Sequence, residues 1–325
     1  MHDGEVIEVE NVFPDERTAE NMMPVDNHVI ISSLGDHERT VYGHLRRDVL
    51  VRRGQRVVAG QQLGWTASSG RSTWPHLHFT AKWDFQFYEP FAGPCRQGTS
   101  YWADQASIPT APYVRDFTFS ARPFGGRKDP PWDEAVRTGT FVQGVRDVYF
   151  RIELAFLDGG PMRVTFLRPD GSTALDGDRP TPLQGYRATW ADFRERLNLD
   201  RTGRWRIRLA AGGKTLVDAP FDVVASAKAV RNRPPNAITA RLVAPSPPQC
   251  VLDTSLVTED PDFQIVRYRY RWFVGGKRVR AVTSASLSDV LRRDRVRSGQ
   301  TLTCKVTPSD GKLSGRTASA AVRLR

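Results

Sequence analysis

The stretch Trp74-Pro75-His76-Leu77-His78-Phe79 decides how the first part of the chain folds, because it places two histidines two residues apart in a run that favours a β-strand. Side chains alternate along a strand, so His76 and His78 are expected to point to the same face of a sheet. Two imidazoles on one face can share a metal ion and a water molecule. A third histidine, His44, ends another strand-like run, Val41-Tyr42-Gly43. The pattern therefore predicts a histidine site built on a β-sheet.

All six histidines of the 325-residue chain lie within its first 78 residues, so the histidine chemistry is predicted to belong to an N-terminal domain. Two of them are interpreted as structural. His28 lies in a strand-like run without an obvious partner, and His37 lies in the polar turn Asp36-His37-Glu38.

Composition limits the classes of partner. The formal net charge of +11 is compatible with an anionic partner such as a cell-wall polymer. Arginine far outnumbers lysine, however, and a genome rich in arginine codons explains this excess better than an anionic partner does. The arginines are also scattered along the chain and form no basic stripe. No nucleic-acid-binding motif is present, so no nucleic-acid partner is predicted. No apolar run is long enough to cross a bilayer, and no signal peptide follows Met1.

Short β-type runs dominate the chain and predict an all-β protein. We expect an N-terminal domain over 1–92, a linker over 93–112, a β-sandwich over 113–228 and an Ig-like β-sandwich over 236–325. The predicted strands of the first domain are Glu5–Glu10, His28–Ser33, Thr40–Leu45, Gln62–Thr66 and His76–Lys82. The best helical periodicity is short and covers Trp190–Leu197.

The last domain has the residue order of an immunoglobulin sandwich, with Cys250, Trp272 and Cys304 on successive predicted strands. The spacing from Cys250 to Trp272 is longer than in that pattern, so the domain is expected to be Ig-like. A Cys250–Cys304 disulfide would imply an oxidising compartment and export, whereas the alternative is a pair of reduced cysteines in a core. Cys95 is left over.

Two further features of the C-terminal part have open interpretations. The turn Glu259-Asp-Pro-Asp262 resembles a calcium-binding turn, but a solvated acidic loop is the preferred interpretation. The two sandwiches make up most of the chain and could make the protein chiefly an adhesion or wall-binding protein. Trp205 and Trp272 alternate in their strands as core residues do.

Three N-terminal stretches together resemble the lysostaphin-type (LytM-like) zinc metallopeptidases, peptidase family M23. Thr40–Leu45 is similar to the family's Tyr-x-His-Leu strand. Val51–Gly64 is similar to its glycine-punctuated hairpin, and Ser68–Phe79 to its run ending in His-Leu-His-Phe. The resemblance covers Asn27–Lys82 and implies an antiparallel sheet domain of the duplicated-hybrid-motif kind.

The resemblance implies a zinc-dependent endopeptidase that hydrolyses peptide cross-links of bacterial peptidoglycan. It maps a zinc ligand onto His78, and it maps onto His44 and His76 the imidazoles that flank the attacking water as general base and transition-state stabiliser. Tyr42 and Trp74 are candidate substrate contacts.

The family's other two zinc ligands come from an H-x-x-x-D motif upstream of a strand that Asp3–Val6 resembles. We therefore expect an N-terminally incomplete copy of an exported enzyme, with one zinc completed by an upstream segment. Its place would be extracellular, periplasmic or at the cell wall, with a signal peptide upstream. The alternative is an inactive LytM-like scaffold that binds partners.

Overall fold

A computed structural model of the chain describes residues 3–15, 25–72, 75–94, 96–102, 105, 112–124, 136–155, 160–180, 188–243, 248–254, 259–291 and 295–324. The protein is all-β, as the sequence predicts, and its strands form sheets that are antiparallel except for one parallel pair in the second unit. It forms two compact units. Of the described residues, those up to 105 belong to the first unit, and those from 112 to 324 belong to the second. None of the helices in the described ranges has the length and apolar character needed to span a membrane.

The first unit is built on a sheet with the strand order β4-β1-β2-β3-β5-β6, in which neighbours run antiparallel. Its strands are β1 (Gly4–Glu10), β2 (His28–Ser33), β3 (Glu38–Gly43), β4 (Arg56–Val57), β5 (His78–Trp83) and β6 (Gln86–Phe87). Its core combines Val6 of β1, the alternating residues Val29 and Ile31 of β2 and Val57 of β4 with Leu45 and Val51 from the segments between strands.

Two predicted strands of this unit need correction. Residues 62–65 are not in a strand, and only Thr66 makes an isolated bridge, to Leu45. The strand predicted from His76 begins at His78, and His76 instead makes an isolated bridge to Ala67. Pro75 contributes no N–H to a ladder, which is consistent with the late start of β5.

The second unit begins with a sandwich whose sheets have the strand orders β11-β10-β13-β14-β8 and β12-β9-β7. Its strands are β7 (Tyr113–Ser120), β8 (Thr140–Val142), β9 (Gly144–Ala155), β10 (Met162–Leu167), β11 (Thr173–Arg179), β12 (Ala188–Leu199), β13 (Gly203–Ala211) and β14 (Lys214–Val224). Trp205 is fully buried in its aromatic core, as its position in the strand predicts.

The best helical candidate, Trp190–Leu197, is not a helix, because these residues lie within β12. The strand pairs with β9 along its whole length. Its inward residues, among them Ala191, Leu197 and Leu199, follow a period of two and are buried. The short apolar pattern fits both periods, and pairing with β9 decides in favour of the strand.

The chain ends in a second sandwich, with strand orders β15-β16-β19 and β18-β17-β20-β21. Its strands are β15 (Thr239–Val243), β16 (Gln249–Asp253), β17 (Arg267–Val274), β18 (Lys277–Ser284), β19 (Ser288–Val290), β20 (Thr301–Ser309) and β21 (Ala318–Arg323). A disulfide joins Cys250 of β16 to Cys304 of β20, and so links the two sheets. Trp272 is fully buried beside it and donates its indole N–H to Asp289 at 2.8 Å.

The acidic turn before β17 is not the solvated loop that the sequence favours. Asp260 and Asp262 are only 1% and 4% exposed. Arg233 neutralises this turn, since its guanidinium binds Asp262 at 2.8 Å and also pairs with Asp222 of β14. The two sandwiches are therefore joined by ion pairs within one compact unit, and the predicted boundary between them at 229–235 stays a prediction.

Candidate active site

His44 directly follows β3 and leaves the strand in a left-handed backbone conformation, with φ of +56°. Its backbone is held on both sides. The His44 carbonyl accepts the N–H of Ala67 at 2.8 Å, and Leu45 donates its N–H to the Asn27 carbonyl at 2.9 Å. The His44 side chain is buried, with the residue 8% exposed. This change of backbone direction ends β3 and fixes where the imidazole lies.

The histidines of the His-Leu-His run reach the same place from the neighbouring strand. His78 opens β5 opposite Gly43, and His76 precedes it in the bridge to Ala67. The ring centroid of His44 lies 4.7 Å from that of His76 and 5.5 Å from that of His78. One ring nitrogen from each of the three lies within 4.8 Å of those of the other two. The structure thus brings the three predicted site histidines together, while their individual roles stay predictions.

A buried set of polar groups holds the backbone segments that carry His44 and His76. Asn27 is fully buried. Its backbone N–H donates to the Ser69 hydroxyl at 3.0 Å, and its side-chain amide donates to the carbonyls of Phe13 and Leu45. Close by, the Ser72 hydroxyl accepts a hydrogen bond from Ser68 and lies 3.4 Å from Nδ1 of His76. These bonds fix the loop from which His76 emerges.

Asp26 is a site residue that the sequence analysis missed. Its Oδ2 accepts the backbone N–H of His44 at 2.6 Å and lies 3.0 Å from Nδ1 of the same residue. Its Oδ1 lies 3.3 Å from Nδ1 of His28, whose Nε2 lies 2.9 Å from Glu8. The expectation that His28 has no partner is therefore wrong. Asp26 belongs to no motif, and only the packing of β2, β3 and the Ser69 loop reveals it.

These contacts shift the titration of the groups involved. Burial alone would raise the pKa of Asp26, but hydrogen bonds from His28 and His44 lower it well below its usual range. The Asp26 carboxylate raises the pKa of His28 to about 9 against the opposing effect of burial. It also raises the pKa of His44, with help from the Ser69 carbonyl. A neighbouring carboxylate favours the charged imidazole in both cases.

The two candidate substrate contacts have different outcomes. Tyr42 lies on β3, packs against the core of the first unit and meets Phe79 edge-on, with ring centroids 5.3 Å apart. Burial raises the pKa of its hydroxyl. Its contact with substrate stays a prediction. Trp74 lies outside the described residues, as does Cys95.

The donor chemistry of the cluster fits zinc. Imidazole nitrogens are common zinc ligands, so an imidazole of this cluster can supply one ligand while the others lie beside the ion. A histidine that binds zinc holds it at about 2.0–2.1 Å. In the described part of the chain, His44, His76 and His78 are the residues grouped closely enough to hold a metal.

Two comparisons with known proteins concern the sequence of the first unit or part of it. Residues 1–90 match Peptidase family M23. A stretch of 53 residues, 16% of this chain, is 43% identical to the peptidoglycan DD-endopeptidase ShyA of Vibrio cholerae serotype O1, and it spans 12% of that relative's length.

Among solved structures, a segment of two fibronectin type-III domains from chicken tenascin is 12% identical, with a TM-score of 0.22, over 56% of this chain and 98% of that one. The human OSCAR ligand-binding domain is also 12% identical, with a TM-score of 0.23, over 65% of this chain and all of that one.

Proposed function

We propose, from the match of residues 1–90 to Peptidase family M23, that the first unit is a zinc-dependent endopeptidase that hydrolyses peptide cross-links of bacterial peptidoglycan. The observation that carries the proposal is the convergence of His44, His76 and His78, from the ends of two neighbouring strands, with ring nitrogens within 4.8 Å of one another. Three imidazoles gathered at one point are typical of a catalytic or metal-binding site. The hydrophobic core of the first unit is formed by other residues, which are apolar.

We assign His78 to the metal and His44 and His76 to the reaction. His78 is exposed at the start of β5, where it can reach an ion open to substrate. Zinc bound there would polarise the scissile carbonyl and lower the pKa of an attacking water. One of the two remaining imidazoles accepts the proton of that water. The other, as an imidazolium, donates to the carbonyl oxygen as negative charge develops on it.

The rest of the chain is compatible with work at the cell wall. A disulfide in the last sandwich favours an oxidising compartment, so we place the protein outside the cytoplasm, extracellular, periplasmic or wall-associated. The net charge of +11 would favour contact with anionic wall polymers alongside the peptide substrate.

The test measures zinc binding and hydrolysis separately on the full chain. Zinc binding is followed by calorimetry, and hydrolysis by the peptides released from purified peptidoglycan. We expect His78→Ala to lose zinc affinity together with activity. His44→Ala and His76→Ala should keep zinc and lose the rate, by roughly 100-fold or more. His37→Ala is the matched control, because His37 is an exposed histidine that pairs with Asp84 outside the cluster.

Two results would contradict the proposal. Release of peptides that is unchanged in His78→Ala would show that the metal is not needed. Zinc binding without any hydrolysis by the parent chain would favour the inactive scaffold, and binding of the same chain to peptidoglycan would then support a wall-binding role.

A further inference from the structure

Asp26 makes two contacts with His44 that together fix both its backbone and its ring. Oδ2 accepts the His44 backbone N–H at 2.6 Å and lies 3.0 Å from Nδ1. His44 is a non-glycine residue with φ of +56°, a left-handed conformation that is strained for a residue with a side chain. A carboxylate that binds the N–H of such a residue helps to hold it there.

The surroundings of Nδ1 also decide which ring nitrogen carries the permanent proton. The Ser69 carbonyl lies 2.8 Å from Nδ1, and the Asp26 carboxylate lies on the same nitrogen. Both groups can only accept hydrogen bonds. Nδ1 must therefore be the donor, which leaves the lone pair of the neutral ring on Nε2.

The position of Asp26 depends on two glycines. A Cβ added at Gly43 would lie 2.6 Å from Oδ2 of Asp26, and one added at Gly70 would lie 2.7 Å from its Cβ. Real Cβ atoms do not approach so closely, so glycine at both positions leaves the space that the Asp26 side chain occupies. On its far side Asp26 is held by His28, which in turn binds Glu8.

We propose that Asp26 is the positioning residue of His44, which holds the imidazole in the Nδ1–H form and directs Nε2 towards His76 and His78. The inference rests on the proposed function, since it assigns Asp26 a part in that reaction. Asp26 acts through His44 and is not expected to touch substrate. Its loss should therefore lower kcat and leave KM and zinc affinity nearly unchanged.

The first test needs no activity. In a ¹⁵N-labelled full chain, histidine ¹⁵N–¹H correlation spectra should show His44 protonated at Nδ1. The His44 amide proton should resonate far downfield and should move upfield in Asp26→Ala. Signals of His37, which pairs with Asp84 elsewhere, should stay in place. A His44 protonated at Nε2 and not at Nδ1 would overturn the inference.

The second test uses the glycine. Gly43→Ala should displace the carboxylate and reproduce the effect of Asp26→Ala, a fall in kcat of about 10-fold or more with little change in KM. In the double variant the new Cβ meets no carboxylate, and its remaining close neighbour is Cβ of His78 at 3.4 Å. The two substitutions should therefore be strongly non-additive, with the double variant no slower than either single one.

A conservative replacement separates positioning from simple loss of structure. Asp26→Asn keeps an amide oxygen that can accept from His44, so it should recover most of the kcat lost in Asp26→Ala. Full additivity of the pair, or a kcat in Asp26→Ala within twofold of the parent, would refute the positioning role. If the parent chain hydrolyses nothing, the proposed function fails, whereas the spectra of His44 still decide the placement of Asp26.

Discussion

Gly43 of β3 lies directly opposite His78 of β5, and this single pairing sets the geometry of the candidate site. His44 comes next in the chain and turns out of β3, so its ring lies 5.5 Å from that of His78. A slip of one residue between the two strands would send His78 to the other face of the sheet. The geometry of the site therefore depends on the register between β3 and β5. These strands lie far apart in sequence, so local interactions do not set it.

The loop that contains Ser69 and Gly70, next to His44, should be destabilised by a methyl group added at Gly70. This residue has φ of +69°, and an added Cβ would lie 2.6 Å from the Val25 carbonyl oxygen. Gly70→Ala should lower the free energy of unfolding of the first unit by more than about 2 kcal/mol, because a steric overlap adds to the backbone strain. Native-state hydrogen exchange of the β2 and β3 amides measures the loss.

Gly60→Ala is the matched control for that variant. Gly60 has φ of +81°, but nothing lies within 4 Å of its added Cβ. It should cost only the strain of the left-handed conformation, about 1–2 kcal/mol. Equal losses of unfolding free energy in the two variants would mean that the overlap with the Val25 carbonyl does not destabilise Gly70→Ala.

The histidine trio could be predicted from sequence because two local signals coincide there. Alternation puts His76 and His78 on one side, and the neighbouring motifs carry a family resemblance around His44. Asp26 had no comparable signal. An aspartate before a strand is ordinary, and its role arises only when β2, β3 and the Ser69 loop pack together.

The errors elsewhere in the fold have a similar origin. The run Trp190–Leu197 is too short to separate a period of two from one of 3.6, so its partner β9 decides. The acidic turn at Asp260 and Asp262 is neutralised by Arg233, which lies far away in sequence, so the local sequence of the turn does not reveal its burial. Local pattern thus predicts strands and motifs well, and long-range pairing of charges poorly.

The raised pKa of His28 predicts a pH-dependent share of stability. Asp26 raises that pKa from 6.5 to about 9 in the folded protein. The stabilisation is then complete below pH 6.5 and is lost as the pH rises through about 9. His28→Gln should destabilise the first unit by on the order of 2 kcal/mol at pH 6 and by much less at pH 9.5.

An NMR titration of the histidine side chains checks the same point directly. His28 should titrate near pH 9 in the parent, and its pKa should fall in Glu8→Gln, because Glu8 also binds the ring at 2.9 Å. A midpoint near 6.5 in the folded parent would contradict the assigned network.

The ion pairs around Arg233 predict a large effect in the second unit. Arg233 binds Asp262, which is 4% exposed, and it also pairs with Asp222. Arg233→Met would leave a buried carboxylate without a counter-charge, and such losses cost about 3–5 kcal/mol. Urea unfolding followed by tryptophan fluorescence should show the change.

Arg206→Met provides the comparison for Arg233. Arg206 pairs with Asp218 across a solvent-exposed sheet face, and exposed pairs contribute little. Its midpoint in urea should stay close to that of the parent. If Arg233→Met unfolds no earlier than Arg206→Met, the ion pairs between the sandwiches do not stabilise the unit.

The Cys250–Cys304 disulfide makes the last prediction, which concerns both thiol count and stability. The chain has three cysteines, so a protein unfolded without reductant should expose no more than one reactive thiol, against three after reduction. The bridge closes a sequence separation of 54 residues and, in the chain-entropy account, stabilises by about 4 kcal/mol. The double variant Cys250→Ala/Cys304→Ala should lose stability of that order in the last sandwich and leave hydrogen exchange in β2 and β3 unchanged. Three reactive thiols in the unreduced protein would show that the two cysteines are not bonded, and the inference of an oxidising compartment would fall with them.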